Sequence, residues 1–538
     1  MPETYLLKEL SRYPIGTWAD IINRNALLFP NEEAFVYKTE RVTFSGFNAR
    51  VNRLINALQS MGIKKGETIG VLSWNCLEYT DLYGAAMKGG FILSPFNPRL
   101  QANELDYLIN YSETGVLFVG PELVEIVDQL RSRLPRVKRY VALEASAPAL
   151  APYINYAQLV ATYPAKEPDI RPEEDDPCII YYTSGTTGVP RGALCSQRQR
   201  IEDTRTKALQ LNTKPKDRHI LIMPLFHIGG SGNTWTYFYV GGCNIITPER
   251  VFDPAATMRA IQEEKATDIH IVPTHLVSIL ALPDLKTYDV TRLKRLWYAA
   301  SPMPTELLRK GVETFGPIFM QCYGQSESGP DITFLSSEDH DVLGRSPEEQ
   351  RRLASCGRPC MGVHVRIVDE QGLDLPSGTV GEIVVKSKRI MMGYWRKPED
   401  TKNVLIGGWL HTGDMGYYDE NGYLYIADRK KDMIVSGGEN IFPREVEEVL
   451  YQHPAVLEAA VIGIPDSYWV ESAHAVVSLK QGMAVSDKEL IDFCKQRLAR
   501  YKAPKSVEFV SALPKNPSGK IMKRELREKY WQGKERKV

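Results

Sequence analysis

The sequence predicts an α/β protein in which a large amino-terminal domain of helix-covered sheets precedes a small α/β domain. Apolar residues at helical spacing alternate with short buried-strand runs in the first third of the chain. Such alternation is typical of a largely parallel sheet covered on both faces. The 538 residues are 43% hydrophobic and 25% charged, as in an ordinary globular protein. A chain of this length predicts about two to four folded units.

The first elements follow from apolar spacing and helix-ending residues. A helix is predicted where apolar residues recur at helical spacing and a glycine follows, at Phe47, Val51, Leu54, Leu58 and Gly62. Residues 68–72 then predict a strand, residues 78–87 a second helix and residues 89–93 a second strand. Residues 163–177 are acidic and proline-spaced, which indicates a connector.

The last hundred residues predict a separate small α/β unit. Pro443 suits the first turn of a helix, and residues 457–464 have the pattern of a strand. Ser486, with a glutamate at the capping-box spacing, opens a further helix. A dense charge run at residues 428–432 lies between the two apolar units. We therefore place the two domains at residues 1–430 and 431–538.

Composition and charge narrow the function classes. The 66 lysines and arginines balance the 66 aspartates and glutamates, so the net charge gives no argument for a nucleic-acid or membrane partner. No apolar run reaches the roughly 18 residues of a membrane-spanning helix, and the first residues lack the pattern of a secretory signal. Eight thinly spread cysteines without metal-ligand spacing predict the reduced thiols of a cytoplasmic protein.

The strongest local signal is a glycine- and hydroxyl-rich loop directly after the apolar run at residues 179–182. Glycine lets backbone N–H groups approach a ligand, and clustered donors beside a cation form a phosphate cradle. The loop matches neither the Walker A nor the Gly-x-Gly-x-x-Gly pattern. It indicates a nucleotide phosphate site of another kind, with a flexible surface turn as the alternative. The candidate residues are Thr183, Ser184, Gly185, Thr186, Thr187, Gly188 and Arg191.

Five segments in order resemble the adenylate-forming superfamily of acyl- and aryl-CoA synthetases, peptide-synthetase adenylation domains and luciferases. The glycine-rich loop is the first, and the others are Gln321–Glu327, Gly408–Asp414, Ile426–Ile441 and Leu513–Ile521. The resemblance spans nearly the whole chain. It implies that the large domain binds ATP and a carboxylic acid and that the small domain is mobile.

The resemblance assigns most of the nucleotide site. It implies that Tyr323 packs on the adenine, that Ser326 lies near the α-phosphate and that Asp414 accepts hydrogen bonds from the ribose. Glu327, with Thr183, would hold Mg²⁺, which prefers carboxylate and phosphate oxygens. The other matched positions are Ala300, Ser301, Pro302, Gln321, Gly324, Gln325, Ile426 and Arg429.

The resemblance also implies a domain movement between two half-reactions. Lys520 matches the lysine that bridges the carboxylate and the phosphate during adenylation. Lys431 matches the hinge position, and Gly437 and Gly438 match the loop that lines the pantetheine path of CoA. Rotation about the hinge would withdraw the lysine and bring the glycine loop to the thiol.

A further segment, residues 223–231, resembles the one beside the acyl pocket. His227, which we also count among the catalytic residues, stands where peptide synthetases for α-amino acids carry aspartate, and this favours an acid without that amine. Ser231 and Trp235 continue the same helix face. If Trp235 and Phe238 point into the pocket, their bulk favours an aryl or medium-chain acid. The alternative is that both are core aromatics.

The expected function is a Mg²⁺-dependent ligase that converts an acid and ATP to acyl-AMP and pyrophosphate, then acyl-AMP and CoA to acyl-CoA and AMP. One alternative is a stand-alone adenylating enzyme that passes the acyl group to a carrier protein or another acceptor. Another is a nucleotide-binding protein without catalysis. The expected partners are small molecules in cytoplasmic fatty-acid metabolism, with neither nucleic acid nor a membrane span. The acid and a homo-oligomer are left open.

Overall fold

The architecture is a set of helix-covered sheets. The computed structural model describes residues 16–144, 153–183, 190–301, 303–342, 344–436, 439–466, 468–516 and 520–532. Within these residues the chain forms four sheets, three from residues up to Arg429 and one from residues beyond it. The predicted α/β class, with a large amino-terminal domain and a smaller carboxyl-terminal one, is confirmed. The boundary between residues 430 and 431 stays a prediction.

Strands and helices alternate along most of the described residues and are numbered in chain order. The strands are β1 (Glu33–Tyr37), β2 (Glu40–Thr43), β3 (Thr68–Leu72), β4 (Ile92–Phe96), β5 (Val116–Val119), β6 (Arg139–Ala142), β7 (Ile154–Asn155), β8 (Pro177–Thr183), β9 (Arg191–Ser196), β10 (Arg218–Leu221), β11 (Cys243–Ile246), β12 (Asp268–Ile271), β13 (Arg295–Tyr298), β14 (Phe319–Gln325), β15 (Gly329–Leu335), β16 (Arg358–Pro359), β17 (Val363–Val368), β18 (Gly381–Ser387), β19 (Gly393–Tyr394), β20 (Leu405–Ile406), β21 (Trp409–Tyr418), β22 (Leu424–Arg429), β23 (Ile434–Ser436), β24 (Glu439–Ile441), β25 (Val456–Asp466), β26 (Val470–Leu479) and β27 (Ser506–Phe509). The helices are α1 (Trp18–Leu28), α2 (Phe44–Ser60), α3 (Leu77–Gly89), α4 (Ala102–Tyr111), α5 (Val124–Leu130), α6 (Tyr156–Thr162), α7 (Gln197–Gln210), α8 (Ile228–Val240), α9 (Pro254–Glu263), α10 (Pro273–Leu280), α11 (Thr305–Phe315), α12 (Ser337–His340), α13 (Pro347–Arg351), α14 (Pro398–Val404), α15 (Pro443–Tyr451), α16 (Asp487–Lys495) and α17 (Lys523–Trp531).

Two large sheets form the body of the molecule. One has eight strands in the order β19-β9-β8-β4-β3-β5-β6-β7, and the other nine in the order β16-β15-β14-β13-β12-β10-β11-β1-β2. Their central strands are parallel, as predicted. A third sheet contains β17, β18, β20, β21 and β22, and the fourth contains β23 to β27.

The predicted elements lie where the patterns placed them, with one shift. Helix α2 and strand β3 lie where the first helix and the first strand were predicted. The second strand, β4, begins later than predicted because Gly89 still belongs to helix α3. Gly90 then caps that helix at a φ of 69°, a left-handed conformation that glycine adopts readily. In the small domain Pro443 opens α15, and the Ser486 hydroxyl accepts a hydrogen bond of 3.2 Å at the start of α16.

The largest apolar core anchors the helix that follows His227. This core joins the eight-stranded sheet to helices α1, α2, α3 and α8. The small domain has a core of its own between α15, α16 and its sheet. Among the described residues, no helix is long and apolar enough to cross a membrane.

Candidate active site

The two ends of the glycine-rich loop lie side by side. Thr183 ends β8 and pairs with Arg191 at the start of β9. The Thr183 hydroxyl donates a 3.0 Å hydrogen bond to Oε1 of Glu327. The structure therefore brings these three predicted residues to one place, although Thr183 and Arg191 belong to the eight-stranded sheet and Glu327 lies between two strands of the nine-stranded sheet.

Tyr394, which the sequence reasoning missed, joins this group. Its hydroxyl donates to the same Glu327 oxygen at 3.1 Å, and the Arg191 guanidinium lies 4.8 Å from its ring centre. Burial and the charge of Glu327 raise the pKa of Tyr394, so it remains a donor. No local pattern could have indicated Tyr394, because it lies 67 positions from Glu327 in the chain.

Glu327 and Thr183 present oxygen atoms that suit a magnesium ion. Mg²⁺ is commonly held by one or two carboxylates together with water and substrate phosphates. Among the described residues, no group of three or more histidine, cysteine, aspartate or glutamate side chains forms a separate metal site. One carboxylate with a neighbouring hydroxyl fits an ion that is bound together with a phosphate substrate.

Asp414 is the centre of a second polar group. It is buried, and its Oδ2 accepts hydrogen bonds of 2.7 Å from the Tyr323 hydroxyl and from Nε2 of Gln325. Its Oδ1 lies 3.2 Å from Nε of Arg429, which pairs with Asp414 across strands β21 and β22. Burial and Asp414 raise the pKa of Tyr323, which keeps this hydroxyl protonated.

The predicted adenine side lies next to this group. Tyr323 and Ile426 are partly buried and pack against one apolar cluster. A Cβ on Gly324 would lie 2.4 Å from the backbone oxygen of Pro330, so the site has no room for a side chain there. Ala300 has a φ of 72°, a conformation that favours glycine.

Three further predicted residues lie in the same region. Gln321 on β14 is buried, and its Oε1 has no hydrogen-bond partner among the described residues. Ser326 is buried directly before Glu327, and Ser301 is half-buried.

Lys520 enters the site from the small domain. Its backbone N–H donates to Oδ1 of Asn516 at 2.8 Å. The charge of Arg429, followed by burial, lowers the pKa of Lys520 to about 8, while Asp414 and Asp432 oppose the shift. The structure therefore places the predicted adenylation lysine among the residues predicted to bind the nucleotide.

The predicted hinge lies against the last described helix. Arg527 on α17 donates to the backbone oxygen of Lys431 at 3.3 Å and pairs with Asp432 at 2.8 Å. Lys523 on the same helix pairs with Glu447 at 2.8 Å. Lys523 Nζ also lies 3.7 Å from Oδ2 of Asp428, which precedes the hinge, so this contact joins the two domains.

The three residues predicted for the acyl pocket have different surroundings in the structure. His227 caps helix α8 and accepts a 3.0 Å hydrogen bond at Nδ1 from the N–H of Gly229, and burial lowers its pKa to about 4. The Ser231 hydroxyl is 2.7 Å from that of Tyr181. Trp235 is fully buried and packs edge-on against Trp18 at 5.4 Å. This packing agrees with the alternative in which Trp235 is a core aromatic.

Some predicted residues lie outside the described part of the chain. These are Ser184, Gly185, Thr186, Thr187 and Gly188 of the loop, with Pro302, Gly437 and Gly438. Their roles remain predictions.

A cavity of about 420 Å³ opens between the domains. The large domain contributes Phe226 and His275 to its wall, and the small domain contributes Lys515 and Asn516. Because Phe226 precedes His227, the cavity reaches the segment predicted to lie beside the acyl pocket.

Two family models match the chain, one in the large domain and one in the small domain. One, described as AMP-binding enzyme, matches residues 22–395, which is more than half of the chain. The chain belongs to the AMP-binding enzyme family. A second model, the AMP-binding enzyme C-terminal domain, matches residues 445–520 and so includes Lys520.

Relatives of this AMP-binding enzyme narrow its class. Feruloyl-CoA synthase of an Amycolatopsis species is 34% identical over 516 residues, covering 96% of this chain and 99% of the relative. The fatty acid–[acyl-carrier-protein] ligase ScoC of Streptomyces coeruleorubidus is 34% identical over 513 residues, covering 95% of each chain. The crystal structure of the anthranilate CoA ligase AuaEII with anthranoyl-AMP is similar at a TM-score of 0.87 and 27% identity, covering 97% of this chain and 98% of that chain.

These matches confirm the predicted superfamily and enzyme class. This AMP-binding enzyme is an AMP-forming acid–thiol ligase of the acyl- and aryl-CoA ligase group. The acid and the thiol acceptor stay predictions.

Proposed function

We propose that this enzyme joins a carboxylic acid to CoA through an acyl-adenylate. The acid and ATP give acyl-AMP and pyrophosphate, and the thiol of CoA then displaces AMP. The observation that carries the proposal is the position of Lys520, a small-domain residue that interacts with the charges of Arg429 and Asp414 in the large domain.

Lys520 is proposed to lower the barrier of the first step. The acid carboxylate attacks the α-phosphorus of ATP, so one anion approaches another, and a positioned cation stabilises the developing charge. With a pKa of about 8, Lys520 is mainly protonated at pH 7. Two bound anions would favour its charged form further.

The large domain is proposed to hold the triphosphate. Arg191 and the loop that begins at Thr183 would contact the phosphates, and Glu327 would bind Mg²⁺ with help from the Thr183 hydroxyl. The ion, when bound, would neutralise the charge of the departing pyrophosphate. Tyr394 fixes the Glu327 carboxylate through its 3.1 Å hydrogen bond.

Asp414 is proposed to bind the ribose. A carboxylate offers about four acceptor positions. In the structure Oδ2 accepts from Tyr323 and Gln325, and Oδ1 faces Arg429. Acceptor capacity therefore remains on Oδ1 for a ribose hydroxyl.

His227 is proposed to contact the reacting carboxyl group. Because Nδ1 accepts from the Gly229 N–H and the ring is neutral, the proton lies on Nε2. His227 can therefore donate to a carboxylate oxygen but adds no charge. The cavity that reaches Phe226 is the proposed entry path of the acid.

The second step is proposed to need a rotation about Lys431. Adenylate formation requires Lys520, whereas attack by a thiol on the acyl carbonyl does not. Rotation would withdraw Lys520 and bring Gly437 and Gly438 to the thiol path. The contact of Lys523 with Asp428, which lies on the other side of the pivot, would have to rearrange.

For the acid, we propose the aryl and medium-chain classes. The similarity to feruloyl-CoA synthase and to the AuaEII structure with anthranoyl-AMP supports the aryl class. A carrier-protein thiol is the second candidate acceptor, because ScoC matches 95% of this chain.

A screen of carboxylic acids tests the proposal. AMP and pyrophosphate release are followed with ATP and Mg²⁺, with CoA, with a phosphopantetheinylated carrier protein, or with no acceptor. Acyl-CoA and AMP that appear only with CoA support the ligase. Acyl transfer to the carrier protein without acyl-CoA formation would favour the second candidate, and no acid-dependent pyrophosphate release would refute both.

A further inference from the structure

Four side chains behind helix α8 form a buried hydrogen-bond network. None of them has a role in the adenylate-forming or thioester-forming step proposed above. They belong to α7, α8, β12 and β15, and they are Lys207, Asn233, His270 and Asp331. The Lys207 ammonium lies 3.0 Å from Oδ1 of Asn233 and 3.3 Å from Oδ2 of Asp331. Nδ2 of Asn233 lies 2.9 Å from Nδ1 of His270.

The charge of Lys207 fixes which group donates and which accepts in each hydrogen bond of this network. An ammonium group only donates, so the amide atom that faces Lys207 is the oxygen of Asn233. The amide nitrogen therefore faces His270 and donates to Nδ1. Burial, and then the charge of Lys207, lower the pKa of His270 well below its usual value, so the ring is neutral. A neutral imidazole that accepts at Nδ1 carries its proton on Nε2.

This Nε2–H is a buried donor that finds no acceptor within the described part of the chain. Nε2 of His270 has no hydrogen-bond partner among the residues that the structure describes. The ring cannot turn freely, because it stacks on Trp297 with centroids 3.9 Å apart and an interplanar angle of 8°. Unpaired buried polar atoms are uncommon in folded proteins, and a ligand that supplies the missing acceptor is one explanation.

Helix α8 approaches the edge of this ring at a glycine. Gly229 lies in the first turn of the helix, and a Cβ there would lie 3.6 Å from Cε1 of His270. The same Cβ would lie 3.2 Å from Nδ1 of His227. A single position beside Gly229 therefore lies within contact distance of both the imidazole proposed to contact the reacting carboxyl group and the imidazole of His270.

Nearby charges favour an oxygen acceptor over an ammonium group. Arg200 lies 2.7 Å from Asp203, Arg389 lies 3.7 Å from Asp203, and Lys207 pairs with Asp331. All five side chains are buried. These described residues set three cations against two carboxylates, and the excess positive charge opposes a further cation.

We propose that Nε2–H of His270 binds an oxygen atom on the acyl part of the acid. The enzyme then selects acids that carry a hydroxyl, keto or second carboxyl oxygen a few bonds from the reacting carboxyl group. Lys207 and Asn233 are positioning residues that fix the His270 tautomer. This inference rests on the proposed ligase function and names the substrate class of its acyl site.

Matched pairs of acids test the inference. The value of kcat/KM is measured for benzoate against hydroxybenzoates, cinnamate against 4-hydroxycinnamate, and butyrate against succinate and 4-oxobutyrate. For at least one pair the wild-type enzyme should prefer the oxygenated acid about tenfold to hundredfold, because a buried donor left unpaired penalises the other acid. The oxygen type of that pair identifies the group.

Substitutions then locate the source of the preference. His270→Phe keeps a flat ring against Trp297 but removes the N–H, and the preference should fall to about one. Asn233→Leu removes the amide that keeps the His270 proton on Nε2, so the preference should fall. It is also the second variant to measure if His270→Phe does not fold.

His219→Phe is the matched control. His219 is also buried and stacked on a ring, that of Tyr237 at 4.6 Å, and its Nε2 also has no hydrogen-bond partner among the described residues. It packs against the far end of helix α8, so this variant should keep the wild-type preference.

The outcomes separate the inference from the function on which it rests. The inference is overturned if the enzyme turns over acids without preferring the oxygenated member of any pair. It is also overturned if the preference survives in both His270→Phe and Asn233→Leu. Either result leaves the ligase function unaffected. Absence of pyrophosphate release with every acid overturns the proposed function and the inference with it.

Discussion

Replacing Lys520 with glutamine separates its catalytic role from its effect on folding. Arg429 and burial lower the Lys520 pKa from 10.5 to about 8. A shift of this size corresponds to roughly 3 kcal/mol against the protonated side chain. Because the pKa in the folded protein lies below that in the unfolded chain, the ammonium destabilises this arrangement at pH 7. The destabilisation is lost as the pH rises from about 8 to 10.5.

Lys520→Gln should therefore have opposite effects on activity and stability at pH 7. Adenylate formation, measured as pyrophosphate release, should fall about 10²–10³-fold. The free energy of unfolding, measured by urea denaturation, should rise by up to about 3 kcal/mol.

Lys529→Gln provides the control for this experiment. Lys529 is an exposed lysine on helix α17 that pairs with Glu508 at the surface. Its substitution should change neither adenylate formation nor stability appreciably. Undiminished pyrophosphate release in Lys520→Gln, or a variant less stable than the wild type at pH 7, would refute the reasoning.

Three further predictions concern the same site. Arg429→Gln removes the main cause of the low Lys520 pKa, so the fall of kcat/KM with rising pH, expected near pH 8 in the wild type, should move to higher pH in a pH–rate profile. Lys431→Pro should spare pyrophosphate release but reduce acyl-CoA formation, and an equal loss of both would contradict the hinge. Gly324→Ala places a Cβ 2.4 Å from a backbone oxygen and should lower the unfolding free energy by about 1–3 kcal/mol, unlike Gly115→Ala, whose nearest atoms lie 3.9 Å away.

Local patterns were sufficient for elements and for segments that carry their own chemistry. Strand β3 and the helix opened by Pro443 follow from apolar spacing and from proline at a first helical position. The shift of β4 has a local cause, because one of two adjacent glycines still belongs to the helix. Patterns locate such element ends less well than the elements themselves.

The position of Trp235 could not be read from its helix. Helical spacing shows which residues share a face, and it does not show which face meets the core. In the structure that side chain contacts Trp18 on α1 and Phe35 on β1, about 200 positions earlier in the chain. Those contacts depend on how distant elements pack.

The sequence by itself determined the α/β class, the glycine-rich loop and the order of the segments that identify an adenylate-forming enzyme, because each depends on neighbouring residues. Only the tertiary structure decided that Tyr394 binds Glu327, that Lys520 meets Arg429, and that Nε2 of His270 has no partner among the described residues. These are relations between side chains far apart in the chain. Their distances and proton positions are fixed by packing and burial, which local patterns do not record.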